Sequence, residues 1–108
     1  MDAQEFSREA DAALETLYHK LVSAAGDYDF DVDMNAGALT VEFDDPPERF
    51  VVSPNSPVHQ IWVSAHTTSF KLDWNADRKA FVLPTSGETL EQLMAAAISR
   101  KLNEDFQI

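Results

Sequence analysis

The chain has 108 residues, 44% of them apolar and 10% aromatic, enough for one real hydrophobic core and too few for two. Nineteen acidic against eight basic residues give a formal net charge of −11, which repels phosphate backbones and argues against nucleic acid as a partner. There is no cysteine, so disulfides, thiolate nucleophiles and cysteine-based zinc sites are excluded.

The opening segment reads as a helix, because Phe6, Ala10, Ala13, Leu14, Leu17 and Leu21 recur at helical spacing. Asp2 and Glu5 stand in the positions of a capping box, and Gly26 is a candidate left-handed terminator. Arg8, Asp11, Glu15, His19 and Lys20 fall on the opposite face. The period then changes. From Asp27 to Met34, Asp27, Asp29, Asp31 and Asp33 alternate with Tyr28, Phe30, Val32 and Met34, which predicts a strand with one apolar and one all-carboxylate face. Asn35-Ala36-Gly37 is turn chemistry, and Ala38 to Phe43 returns as a second strand with Leu39, Val41 and Phe43 inward.

Asp44-Asp45-Pro46-Pro47-Glu48 is expected to form an acidic loop, since prolines cannot donate to a ladder. Phe50 to Ser53 is expected as a short third strand and Pro54 to Pro57 as another loop. The fourth strand, Pro57 to Ser64, is the most informative. His59, Ile61 and Val63 point one way, while Gln60, Trp62 and Ser64 point the other. A large aromatic among polar neighbours on a wet face either packs against a cross-strand neighbour or anchors a binding surface. Phe70 to Trp74 and Lys79 to Leu83 complete the strands. Thr85-Ser86-Gly87-Glu88 carries cap signals for a second helix with Leu90, Leu93, Met94, Ala97 and Ile98 on its stripe, and the tail from Asn103 is expected to be loosely attached.

The plan is α+β, with one domain over residues 1–108. It is a two-layer sandwich in which N- and C-terminal helices pack on one face of an antiparallel sheet of five to six strands. The other face is expected to carry Thr40, Glu42, Gln60, Trp62, Ser64, Lys71 and Asp73. The acidic N-terminus has no basic presequence, and no apolar run reaches bilayer length, which points to a cytoplasmic or processed organellar protein without membrane contact.

Catalytic motifs are missing: there is no nucleophile elbow, Walker loop or His-Glu-x-x-His pair. His19, His59 and His66 are scattered, with His59 read as a strand-end core histidine and His66 as an exposed turn residue. The acidic strand is the one chemical constellation. Carboxylates two residues apart on a strand lie about 7 Å apart and repel by about 0.6 kcal/mol per pair in water. A cation or a basic protein surface would relieve that repulsion. The alternative is a solvated edge strand whose charges prevent edge-to-edge aggregation. A metal bound there would meet hard oxygens on an open surface, weakly and with little selectivity.

In order, Glu5-Phe6, Ala10-Asp11, Asp27 to Asp33, Asn35-x-Gly37-x-Leu39-Thr40, Pro57-x-x-Gln60-Ile61-Trp62, Asp73-Trp74 and Ser86-Gly87-Glu88-Thr89-Leu90 resemble the frataxin family, in its bacterial CyaY-like branch. The resemblance covers nearly the whole chain. It implies a non-catalytic regulator of iron–sulfur cluster assembly that binds iron weakly on an acidic ridge. It also implies docking on a complex of cysteine desulfurase and scaffold protein, slowing turnover in bacterial cases and speeding it in mitochondrial ones. The matching ridge residues are Asp27, Asp29, Asp31 and Asp33, while His19 reads either as a solvent-exposed helix histidine or as a softer additional iron donor. Gln60 and Trp62 match sheet residues that meet the scaffold, and Asn55 lies in the matching loop. One departure stands out: Tyr18, His19, Val22 and Ser23 occupy helix positions where the family carries acids, so half of the ridge is missing. The resemblance further implies a monomer in the bacterial cytosol, or in the mitochondrial matrix for a processed eukaryotic form. The competing readings are a ferroxidase acting at surface carboxylates and an iron store or chaperone that forms iron-dependent oligomers.

Overall fold

In the computed structural model, which describes residues 1–44 and 46–108, helix α1 spans Ala3–Ala25. Asp2 caps it, its Oδ1 accepting from the Glu5 N–H at 2.8 Å. Phe6, Ala10, Leu14, Leu17 and Leu21 are buried, the helical stripe read from the sequence. Gly26 does not end the helix in the left-handed region, since its φ is −65°. Instead the Asp27 and Tyr28 N–H groups bond back to the Ala24 and Ala25 carbonyls, tightening the chain into further turns.

This overrun corrects the first strand. N–H groups spent on helix carbonyls are not free for a ladder, so β1 covers only Asp31–Asn35, and Asp27 and Asp29 lie in the turn before it. The remaining strands are β2 (Ala38–Asp44), β3 (Pro47–Asn55), β4 (Gln60–Ala65), β5 (Thr68–Asn75) and β6 (Ala80–Val82). They form one antiparallel sheet in the order β1-β2-β3-β4-β5-β6. Helix α2 (Leu90–Leu102) closes the chain, capped by a reciprocal Thr89–Gln92 box one residue beyond the expected cap signals.

β3 is longer than predicted at both ends, even though it contains prolines. Pro47 is its first residue, opposite Asp44, and Pro54 lies beyond the point where β2 stops pairing, at Leu39 opposite Val52. Neither missing N–H interrupts an interior ladder. Asp45, expected in an acidic loop, lies outside the described residues. β4 begins later than expected, because Ser56–Val58 form a 3-10 turn and His59 takes a left-handed φ of 52°. The His59 ring stacks on Phe6 with centroids 5.2 Å apart, so it serves the core as expected, from the turn and not from the strand.

Both helices cover one face. Leu39, Val41, Phe43, Phe50, Val52, Ile61, Val63, Leu72 and Phe81 of the sheet meet the α1 stripe and Leu90, Leu93, Met94, Ala97 and Ile98 of α2 in one core. Lys20 of α1 and Glu91 of α2 pair at 2.7 Å. Two expectations fail at the far end of α2. His66 is not solvent-exposed: its side chain is 16% exposed, with Nε2 donating to the Ala97 carbonyl at 2.9 Å and Nδ1 3.4 Å from Glu48. Lys101 reaches Glu48 at 3.3 Å and the Pro46 carbonyl at 2.9 Å. The tail is not loose either. Phe106 is 1% exposed, its ring edge-on to Tyr28 and Phe30, and the Ser99 hydroxyl binds both its N–H and its carbonyl. Among the described residues no helix is long and apolar enough to cross a membrane.

Candidate functional site

The candidate site lies on the face of the sheet away from the helices. Strand alternation puts Gln60, Trp62 and Ser64 outward while Ile61, Val63 and Ala65 are buried. The register sets Trp62 between Ser53 of β3 and Lys71 of β5, and Gln60 between Asn55 and Asp73. Trp62 is 37% exposed, one of few large apolar side chains left in contact with solvent. Asn55 is the last residue of β3, at the mouth of the turn, and not a loop residue as expected.

These side chains interlock. The Trp62 Nε1–H donates to Gln60 Oε1 at 2.9 Å, and Gln60 Nε2 donates to Asp73 Oδ1 at 3.0 Å. The Lys71 ammonium lies 5.0 Å from the Trp62 ring centroid, within range of a cation–π contact. Trp62 therefore packs across strands, as one sequence reading expects, and still presents ring surface to water. Lys71 and Asp73 were legible as members of the same face, but their role required the register, which no periodicity supplies.

The residues expected to hold iron fall in three places. Asp31 and Asp33 point outward from β1, opposite Glu42 and Thr40. Asp31 thus faces a like charge across the ladder, an unfavourable arrangement that Arg49 moderates from the far side of Glu42, at 3.4 Å. Asp27 and Asp29 stand apart from that face, in the turn, where they line a depression with Lys101 and Glu104. His19 is exposed on α1, 3.8 Å from Glu15. Together with Asp11, Glu15, Tyr18, Met34 and Gly37 it borders a depression between the helix and the β1–β2 turn.

The helix therefore does contribute carboxylates beside β1. They sit at Asp11 and Glu15, respectively about two turns and one turn before Tyr18 and His19, the first of the positions where acids are missing. The i, i+4, i+8 spacing of Asp11, Glu15 and His19 was the available signal for this grouping. Among the described residues no three His, Asp or Glu side chains are grouped closely enough to hold a metal ion. The acidic edge offers an open field of hard oxygens and no preformed cage, so the chain's own residues do not fit a resident metal centre.

Residues 1–104 match the family described as frataxin-like domain. Among solved structures the chain is similar to a frataxin from Psychromonas ingrahamii, described as a model for stability modulation within the CyaY protein family. The two share 25% sequence identity over 99% of this chain and 97% of that one, with a TM-score of 0.82. The six-stranded antiparallel sheet under two helices is the same fold. The chain belongs to the frataxin family, in general non-enzymatic accessories associated with iron that work with the proteins of iron–sulfur cluster assembly.

Proposed function

We propose that this chain, as a single domain over residues 1–108, docks on the complex of cysteine desulfurase and scaffold protein and regulates its turnover in the bacterial cytosol. The observation that carries the reading is the pairing of an exposed, internally braced Trp62 with an acidic edge on the same sheet. Trp62, Gln60 and Asn55 form the specific contact, and an aromatic anchor amid small polar residues has the composition of an interface hot spot. The carboxylates of Asp27, Asp29, Asp31 and Asp33 draw in a basic partner surface, and a net charge of −11 extends that attraction. Iron, as cargo, is held weakly along the same carboxylates with His19 as an additional donor. The free protein is a monomer.

Binding to the desulfurase–scaffold complex at low and at moderate salt tests the reading. Salt-sensitive binding that is lost in Trp62→Ala supports it. No binding at either salt overturns it and leaves weak iron chemistry at the surface, as a ferroxidase or store, to be measured against a protein-free control.

A further inference from the structure

We propose that Asp73, acting through Gln60, is a positioning residue that presents Trp62 with its indole N–H already satisfied, so that a docking partner reads the face of the ring and not its N–H. The inference rests on the docking reading and names the chemistry that the docking surface accepts.

The direction of the relay follows from the donor inventory. An indole nitrogen only donates, so Gln60 must turn Oε1 toward Trp62, 2.9 Å away. That leaves Nε2 aimed the other way, and only an acceptor satisfies it there. Asp73 Oδ1 supplies the acceptor at 3.0 Å. A chain of two hydrogen bonds therefore has one polarity, and the amide orientation of Gln60 is fixed at both ends. The register makes this economical, because Gln60 and Asp73 are direct cross-strand partners and Trp62 and Lys71 form the next outward-facing pair. The Lys71 ammonium, 5.0 Å from the ring centroid, braces the indole a second time.

Two consequences follow. A side chain held before encounter loses less freedom on docking, an advantage of about three- to tenfold in affinity for one immobilised large side chain. A partner group opposite Trp62 also needs no acceptor for Nε1. The matching chemistry is a planar or aliphatic side chain that stacks on the ring, among the short neighbours Ser53 and Ser64.

The test compares Asp73→Asn, Asp73→Ala, Trp62→Phe and Trp62→Ala for affinity toward the desulfurase–scaffold complex. Solvent exchange of the Trp62 indole proton is followed by NMR in the unbound proteins. Asparagine keeps an Oδ1 acceptor without the charge, so Asp73→Asn is expected to protect the indole proton and bind within about twofold of the parent. Asp73→Ala is expected to bind about three- to tenfold more weakly and to exchange the proton faster. Trp62→Phe, which has no N–H, is expected to bind far better than Trp62→Ala. Equal loss in Asp73→Asn and Asp73→Ala would make charge the cause and overturn the relay. Equal loss in Trp62→Phe and Trp62→Ala would show that the N–H is read by the partner. If Trp62→Ala binds like the parent, the docking reading itself falls; if only the Asp73 variants depart from expectation, the relay alone falls.

Discussion

Around Trp62 the polar atoms answer one another, indole to amide to carboxylate, with an ammonium against the ring. Along β1, Asp31 and Asp33 make no ion pair among the described residues, and Asp31 faces Glu42. The first region has a shape that exists before any partner arrives. The second has a field but no fixed geometry, and its field reaches only as far as salt allows, about 8 Å at physiological ionic strength. In the proposed docking, the two regions divide the work of recognition: the carboxylates gather a basic partner from a distance, and the braced indole decides whether it stays.

If the two regions are independent, loosening one should leave the other intact. Phe106→Ala is the strongest such perturbation, because it empties a fully buried site beneath the acidic turn. Loss of a buried phenylalanine costs about 3–5 kcal/mol, measured as a fall in denaturant midpoint. Hydrogen exchange should quicken at Asp27 to Phe30, whose aromatic rings rest on Phe106, while the Trp62 indole stays protected. Simultaneous loosening of Trp62 would break the distinction.

Trp62→Ala reverses the pattern. Binding should weaken by at least about 2 kcal/mol, roughly 30-fold, as expected for an aromatic hot spot. Stability should change by less than about 1 kcal/mol, the scale of one cross-strand pair. A binding titration beside a thermal melt checks both. The double variant Asp31→Asn, Asp33→Asn is expected to do least. It should slow association severalfold at low salt, with little effect at moderate salt. Folding stability should stay constant or rise by a few tenths of a kcal/mol, on the order of other exposed charge effects.

The same division shows in how much the sequence disclosed. Regular alternation identified β2, β4 and β5 and the outward placement of Gln60 and Trp62, because side-chain direction in a strand depends only on parity. The acidic stretch alternates just as cleanly from Asp27, yet its first residues are turn. Parity cannot tell a strand from a helix end that consumes its N–H groups on Ala24 and Ala25. Phe106 was illegible for a related reason. A single aromatic in a polar tail has no period, and its burial is decided by the Ser99 hydroxyl and the Tyr28 and Phe30 rings. His66 sits at a hairpin turn, a position that favours water, until the packing of α2 brings the Ala97 carbonyl to its ring. Of the candidate site, the outward, partly exposed Trp62 was legible. Its support at Asp73 and Lys71, and the helix carboxylates Asp11 and Glu15, needed the register and the helix packing.

The central claim is that attraction and retention reside in different regions. Association and dissociation rates with the desulfurase–scaffold complex, measured across a salt series for the parent, Trp62→Ala and the Asp31/Asp33 double variant, test it most directly. The account predicts that Trp62→Ala raises the dissociation rate at every salt and leaves the salt slope of association unchanged. The double variant should flatten that slope and leave dissociation alone. An exchange of these signatures, or a flattened slope in Trp62→Ala, would contradict the account.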